Sequence, residues 1–188
     1  MGLLEPDGRG CRLFRRDGLT GPRAPSVDPL GPYPRGGRDA RGPETAPVIT
    51  IHSLGHAVAA LNAAAEAGRP IILASAPDAG IYAGAGWFRE VLRAAREAVP
   101  AAQSSALLDC GEDAGAAMAA VRAGIDAIVF TGRADVAARL GDIATQAGAR
   151  LLTARPAALL DLGTAFFADD EELRRRCADA LASSAAFC

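Results

Sequence analysis

The stretch Ser104–Gly132, SSALLDCGEDAGAAMAAVRAGIDAIVFTG, constrains the fold more than any other, because it reads as one complete strand, helix, strand unit. Ser105 to Leu108 is a short apolar run that ends in the polar corner Asp109, Cys110 and Gly111. After it, Ala114, Ala117, Met118, Val121 and Ile125 recur at helical spacing, Gly124 closes the segment, and the apolar run Ala127 to Phe130 follows directly. Such a crossover joins parallel strands. Sheets of that kind hold their ligands beyond the carboxyl ends of the strands, so any chemistry is expected on the rim that carries Asp109, Cys110, Thr131 and Gly132.

The same alternation runs on either side of that unit. Pro47 to His52 is a β-branched run, and Leu54, Val58, Leu61 and Ala65 then mark one face of a helix that Gly68 ends. Pro70 to Ser75 is the next strand. A loop, APDAGIYAGAG, leads from it into an amphipathic helix from about Trp87 to Ala98. Beyond Gly132 the pattern predicts a helix over Asp135 to Ala147, a fifth strand over Arg150 to Ala154 stopped by Pro156, and a last helix from Asp169 to about Ser183. The acidic start of that helix and the arginines after it suit its dipole. Five strands alternating with helices give an α/β domain with a parallel sheet, either an arc of a barrel or an open doubly wound sheet.

The chain divides by composition into residues 1–46, 47–163 and 164–188. The first segment holds most of the prolines with many glycines and arginines and no apolar periodicity, so it is expected to be a disordered tail. The second is the α/β domain, and the third carries the final helix. With 188 residues, half of them hydrophobic, and a net charge of −2, the whole suits one soluble domain with neither nucleic acid nor a membrane as partner. No segment is apolar enough for a membrane span or a signal peptide, which makes the cytoplasm the expected location. The sequence contains no lysine, so Schiff-base chemistry on a side-chain amine is excluded. Cys11, Cys110, Cys177 and Cys188 are far apart and form no CxxC pair, which argues against a disulfide framework or a structural zinc cluster.

DCGEDAGAAMAAVRAGIDAIVFTG resembles the segment of the class II, metal-dependent, ketose-bisphosphate aldolases in which a strand ends Asp-His-Gly and a helix and a further strand follow. SLGHAVAALNAAAEAGRPIILASAPDAGIYAG resembles the opening of the same fructose/tagatose-bisphosphate family, with the helix, the strand and Tyr82-Ala83-Gly84 in matching order. Together they cover Val48 to about Gly163, the first five of eight strand-helix units. The resemblance implies part of a TIM barrel, with Asp109 as the catalytic acid/base. Cys110 stands where the family has a zinc-binding histidine, and the phosphate loop and the later metal ligands have no counterpart in this chain.

The rim supplies the remaining candidates. Ser75 and Tyr82 lie on the loop that in the family faces the substrate, and Thr131-Gly132 matches its Gly-Ser strand end in part, so these four are the expected substrate contacts. His52, His56 and Cys110 offer nitrogen and sulfur donors to zinc if the first and third corners adjoin. The leading expectation is a degenerate, catalytically impaired aldolase-like domain that serves as a binding or assembly subunit and retains at most a sugar-phosphate ligand. An incomplete barrel leaves sheet edges open, so a homo-oligomer or a partner chain is expected to cover them. The rivals are a sensor domain for a phosphorylated ligand or nucleotide, and a metal-dependent lyase built on His52, His56 and Cys110.

Overall fold

The structure, a computed structural model, describes residues 46–185. The tail expected over 1–46 therefore lies outside the described residues, Ala46 excepted. In chain order the elements are β1 (Val48–Thr50), α1 (Leu54–Ala67), β2 (Ile71–Ala74), α2 (Ala79–Tyr82), α3 (Ala85–Ala98), β3 (Ser104–Asp109), α4 (Ala114–Arg122), β4 (Ala127–Val129), α5 (Ala134–Gln146), β5 (Arg150–Leu152), β6 (Leu160–Asp161) and α6 (Asp170–Ala185). A short 3-10 helix, Leu162–Ala165, lies between β6 and α6.

Local chemistry sets these boundaries. The Ser53 side chain accepts the His56 amide and starts α1, while Gly68, at φ 59°, closes it in a left-handed conformation that a side chain disfavours. Asp113 starts α4 in the same way by accepting the Ala116 amide. The buried face of α1 is largely alanine, which lets the helix approach the sheet closely while α3 and α6 pack on its flanks.

All strand pairs are parallel, and the sheet order is β5-β4-β3-β2-β1-β6. One row of partners runs across it as Asp161, Thr50, Ala74, Leu107, Ala127 and Arg150. Five strands thus lie in sequence order. The sixth, which was not expected from the sequence, returns to the free side of β1. The helices form one layer on one side of the sheet, in contact order α6, α1, α3, α4, α5. Ile49, Ile71, Leu73, Ala106, Leu108 and Ile128 face them, whereas Val48, Ile72, Ala74, Leu107 and Val129 form a separate small cluster on the opposite face with no helix residue in it. A doubly wound sheet carries helices on both faces. A one-sided helical layer is what an arc of a barrel has.

The link from β5 to β6 crosses the sheet. These strands are the two edges of the sheet, yet only the seven residues from Thr153 to Leu159 join them, without a helix. Six flat strands separate their outer members by roughly 24 Å, and a link of this length reaches about 28 Å at full extension. A nearly straight link between the edges has to pass over the open side of the sheet. A cavity of about 240 Å³ remains beneath it, between Val48, Ile72, Leu107, Leu152 and Pro156.

One further expectation changes. The loop expected between β2 and the next helix contains the single turn α2, entered through Asp78 in a left-handed conformation (φ 57°). The 3-10 helix, Leu162–Ala165, runs across the boundary between residues 163 and 164, and α6 packs on α1. Among the described residues no helix is long and apolar enough to cross a membrane.

Candidate functional site

Strand alternation decides which rim side chains can meet. Thr50 follows the parity of Val48, and Asp109 that of Leu107, so both point to the open face of the sheet. Cys110 falls on the opposite parity and joins the core beneath the helices. The link between β5 and β6 then brings Arg155 over the ends of β1, β2 and β3. Its guanidinium donates to Asp109 Oδ2 at 2.9 Å, to Thr50 Oγ1 at 3.1 Å and to the Ser75 carbonyl at 2.6 Å. Asp109 Oδ1 accepts the Gly111 amide at 2.9 Å, which fixes the other side of the carboxylate. The Ser75 hydroxyl accepts the Asp109 amide at 3.0 Å and donates to the Ala76 carbonyl. Thr50, Ser75 and Asp109 are all buried, while the Arg155 side chain keeps 23% of its surface in solvent.

Asp109 and Ser75, both singled out from the sequence, thus belong to one hydrogen-bonded group at the mouth of the arc. Arg155 and Thr50 complete it and were not anticipated. Tyr82 stands on α2, 68% exposed. Partial burial and then the Asp78 carboxylate push its phenol above the ordinary value, against the opposing charge of Arg155. Thr131 and Gly132 occupy the turn after β4, where the Thr131 amide donates to the Gly111 carbonyl at 2.8 Å and ties the ends of β3 and β4 together. Gly132 is needed there, since a Cβ would lie 2.5 Å from the Phe130 ring.

The zinc grouping expected from His52, His56 and Cys110 does not form. Among the described residues no three His, Cys, Asp or Glu side chains come together as a metal-holding group. The reason is the alternation just described, which turns Cys110 into the core. Its Sγ lies where a Cβ on Gly80 would approach to 2.6 Å. Burial, and after it the charges of Asp109 and Asp113, push the thiol up to about 12, so the thiolate that a metal requires is strongly disfavoured. The residues present do not fit the metal that the aldolase resemblance implies.

The two histidines sit instead where β6 meets β1. His52 Nε2 lies 2.7 Å from Asp161 Oδ1, which also accepts the Gly163 amide at 2.8 Å. Burial raises the Asp161 carboxyl, but the Gly163 amide and the His52 ring outweigh it and hold the group below the usual carboxylate range. The His52 amide donates to His56 Nδ1 at 3.2 Å. Burial, followed by the charge of His52, lowers the His56 imidazole, with Asp161 opposing.

No family model matches the chain, and no curated protein matches it. Among solved structures, it is similar to the crystal structure of a "putative fructose-1,6-biphosphate aldolase from Coccidioides immitis", at 19% identity and a TM-score of 0.47. The similarity covers 56% of this chain and 39% of that one, so the chain spans well under half of that protein's length.

Proposed function

We propose that the chain is a shortened relative of the class II ketose-bisphosphate aldolases that has lost carbon–carbon bond cleavage and serves as a binding or assembly subunit. The observation that supports this reading is the pairing of Asp109 with Arg155 at 2.9 Å. In the family that the sequence resembles, the aspartate at this strand end moves a proton. Here the matching carboxylate is buried, accepts an amide on one oxygen and is neutralised by a guanidinium on the other. A general base has to come within hydrogen-bond reach of the proton it removes, and here the Gly111 amide and the Arg155 guanidinium each occupy one oxygen of the buried Asp109 carboxylate. Cleavage of a ketose by the metal route also needs an electrophile at the carbonyl, and the donor set around Cys110 does not fit one.

The experiment is direct. Purified protein supplied with zinc is incubated with fructose 1,6-bisphosphate and with tagatose 1,6-bisphosphate, and release of triose phosphate is followed by a coupled assay. The expected rate is that of buffer containing zinc alone. Turnover that disappears in an Asp109→Asn variant refutes the loss of catalysis. Sedimentation over a range of concentrations tests the assembly role: a dimer or larger species is expected, and a monomer throughout rejects it.

A further inference from the structure

His56, on the first turn of α1, is satisfied on one side of its ring and orphaned on the other. The residue is 1% exposed, and its Nδ1 accepts the His52 amide at 3.2 Å. Among the described residues, its Nε2 is the buried side-chain nitrogen or oxygen with no hydrogen-bond partner. A ring nitrogen that accepts an amide carries no proton, so the imidazole is neutral with its hydrogen on Nε2. A proton arriving at Nδ1 destroys the one bond the ring makes. Two N–H groups then face each other, Nε2 still lacks an acceptor, and the charge is sealed from water.

The charges around the ring do not offset this. Burial lowers the His56 imidazole first and the charge of His52 second, with Asp161 of β6 opposing. Asp161 is already engaged by His52 Nε2 and by the Gly163 amide, and the charge of Arg155 acts on it as well. On α6, Asp170 Oδ1 comes within 3.9 Å of a Cβ placed on Gly55, the residue before His56. Further along α1, α3 carries the pair Arg89–Glu90, and Arg174 of α6 is paired with Glu66. Held below the usual carboxylate range, Asp161 is the acceptor in its bond with His52, so His52 donates in either charge state and that bond does not sense acid.

The cover over His56 is the part that can yield. Phe166 packs edge-on against the His56 ring at 5.7 Å, yet it is 51% exposed and its neighbour Phe167 is 97% exposed. Leu162 and Ala165 anchor this stretch in the core, but it hangs between a strand of two residues and α6. Local opening is cheapest in segments held by few neighbours. We infer that His56 is an acid-operated latch: a proton on its ring displaces the His52 amide and lifts the Leu162–Phe167 segment from the first turn of α1, while the remainder of the sheet stays closed. The latch shares no side chain with the Asp109–Arg155 pair and does not rest on the aldolase-derived reading.

Amide hydrogen exchange of the ¹⁵N-labelled protein, followed by NMR from pH 7 to 5 with and without dilute urea and corrected for the intrinsic effect of pH on exchange, tests it. Local opening exposes little surface, so the His52 amide is expected to exchange by a route insensitive to urea, whereas the amides of β3 follow the urea-sensitive unfolding of the whole domain. The open population is expected to rise about tenfold per pH unit below about 6.5, because the open ring takes a proton that the closed ring refuses. Cross-relaxation between the Phe166 and His56 rings is expected to fade with the same midpoint as the His56 resonances. His56→Asn keeps an oxygen for the His52 amide but takes no proton, and is expected to remove the acid response; His52→Gln keeps a donor to Asp161 and is expected to retain it. Exchange of the His52 amide only through the urea-sensitive event, an acid response that survives in His56→Asn, or one that is lost in His52→Gln while His56 still titrates, overturns the latch. The urea comparison and the shared midpoint are read on the wild-type protein, so they decide the matter even where a variant does not fold.

Discussion

Replacing Arg155 by methionine keeps the apolar stem of the side chain and removes the cation from the mouth of the arc. Asp109 then loses the bond to Oδ2, and Thr50 and the Ser75 carbonyl lose theirs, while the Gly111 amide still meets Oδ1. Leaving a fully buried carboxylate without its partner typically costs 3 to 5 kcal/mol, by order of magnitude. The Arg155 side chain is 23% exposed, so water replaces part of what is lost and the lower end applies, about 3 kcal/mol. For a domain of this size that corresponds to a fall in Tm of roughly 6–12 °C. Urea titrations of the wild type, Arg155→Met, Asp109→Asn and the double variant complete a cycle. The two single changes are expected to overlap by about 2 kcal/mol, because each removes the same ion pair. A cost below about 0.5 kcal/mol for Arg155→Met, or strict additivity in the cycle, refutes the argument that this contact holds the mouth together.

Three other outcomes follow from the same geometry. Cys110 and Cys177, whose thiols burial raises to about 12 and about 11, are expected to resist alkylation in the native protein at pH 8 and to react once it is unfolded, as read by mass spectrometry. Gly80→Ala drives a methyl to 2.6 Å from Cys110 Sγ and 3.0 Å from the Asp109 carbonyl, and is expected to cost about 2 kcal/mol in chemical denaturation. His56 has a folded pKa below its unfolded value, so the unfolded chain binds more protons between the two and stability falls as pH drops below about 6.5. The contribution is at most about 1.4 kcal/mol per pH unit within that window, and comparison of denaturation midpoints from pH 7 to 5 is expected to show it reduced in His56→Asn.

The regular part of this fold is visible in its residues. β3, α4 and β4 fall where the apolar spacing around Asp109 places them, because a helix with a capping aspartate and buried strands that share neighbours on each side leave strong periodic marks. What escapes is short. β6 is two residues long and α2 four, and neither length contains a full period of any pattern. Arg155 left no mark either, since its role comes from the path of the link between the two sheet edges and not from its neighbours in sequence. The pairing of His52 with Asp161 has the same origin, being a contact across 109 positions. Strand parity was available, and it accounts for both the meeting of Asp109 with Thr50 and the turning away of Cys110.

That distant contact also has a consequence in time. β1 is among the earliest parts of the domain to leave the ribosome, and the partner for its outer side, β6, emerges more than a hundred positions later. Until then a nascent chain carries an unprotected row of backbone amides and carbonyls next to the oily underside of the arc, the arrangement that recruits other copies edge to edge. Late pairing of β1 is built into this order of synthesis, and it exchanges the free side of β1 for the shorter outer edge of a two-residue strand.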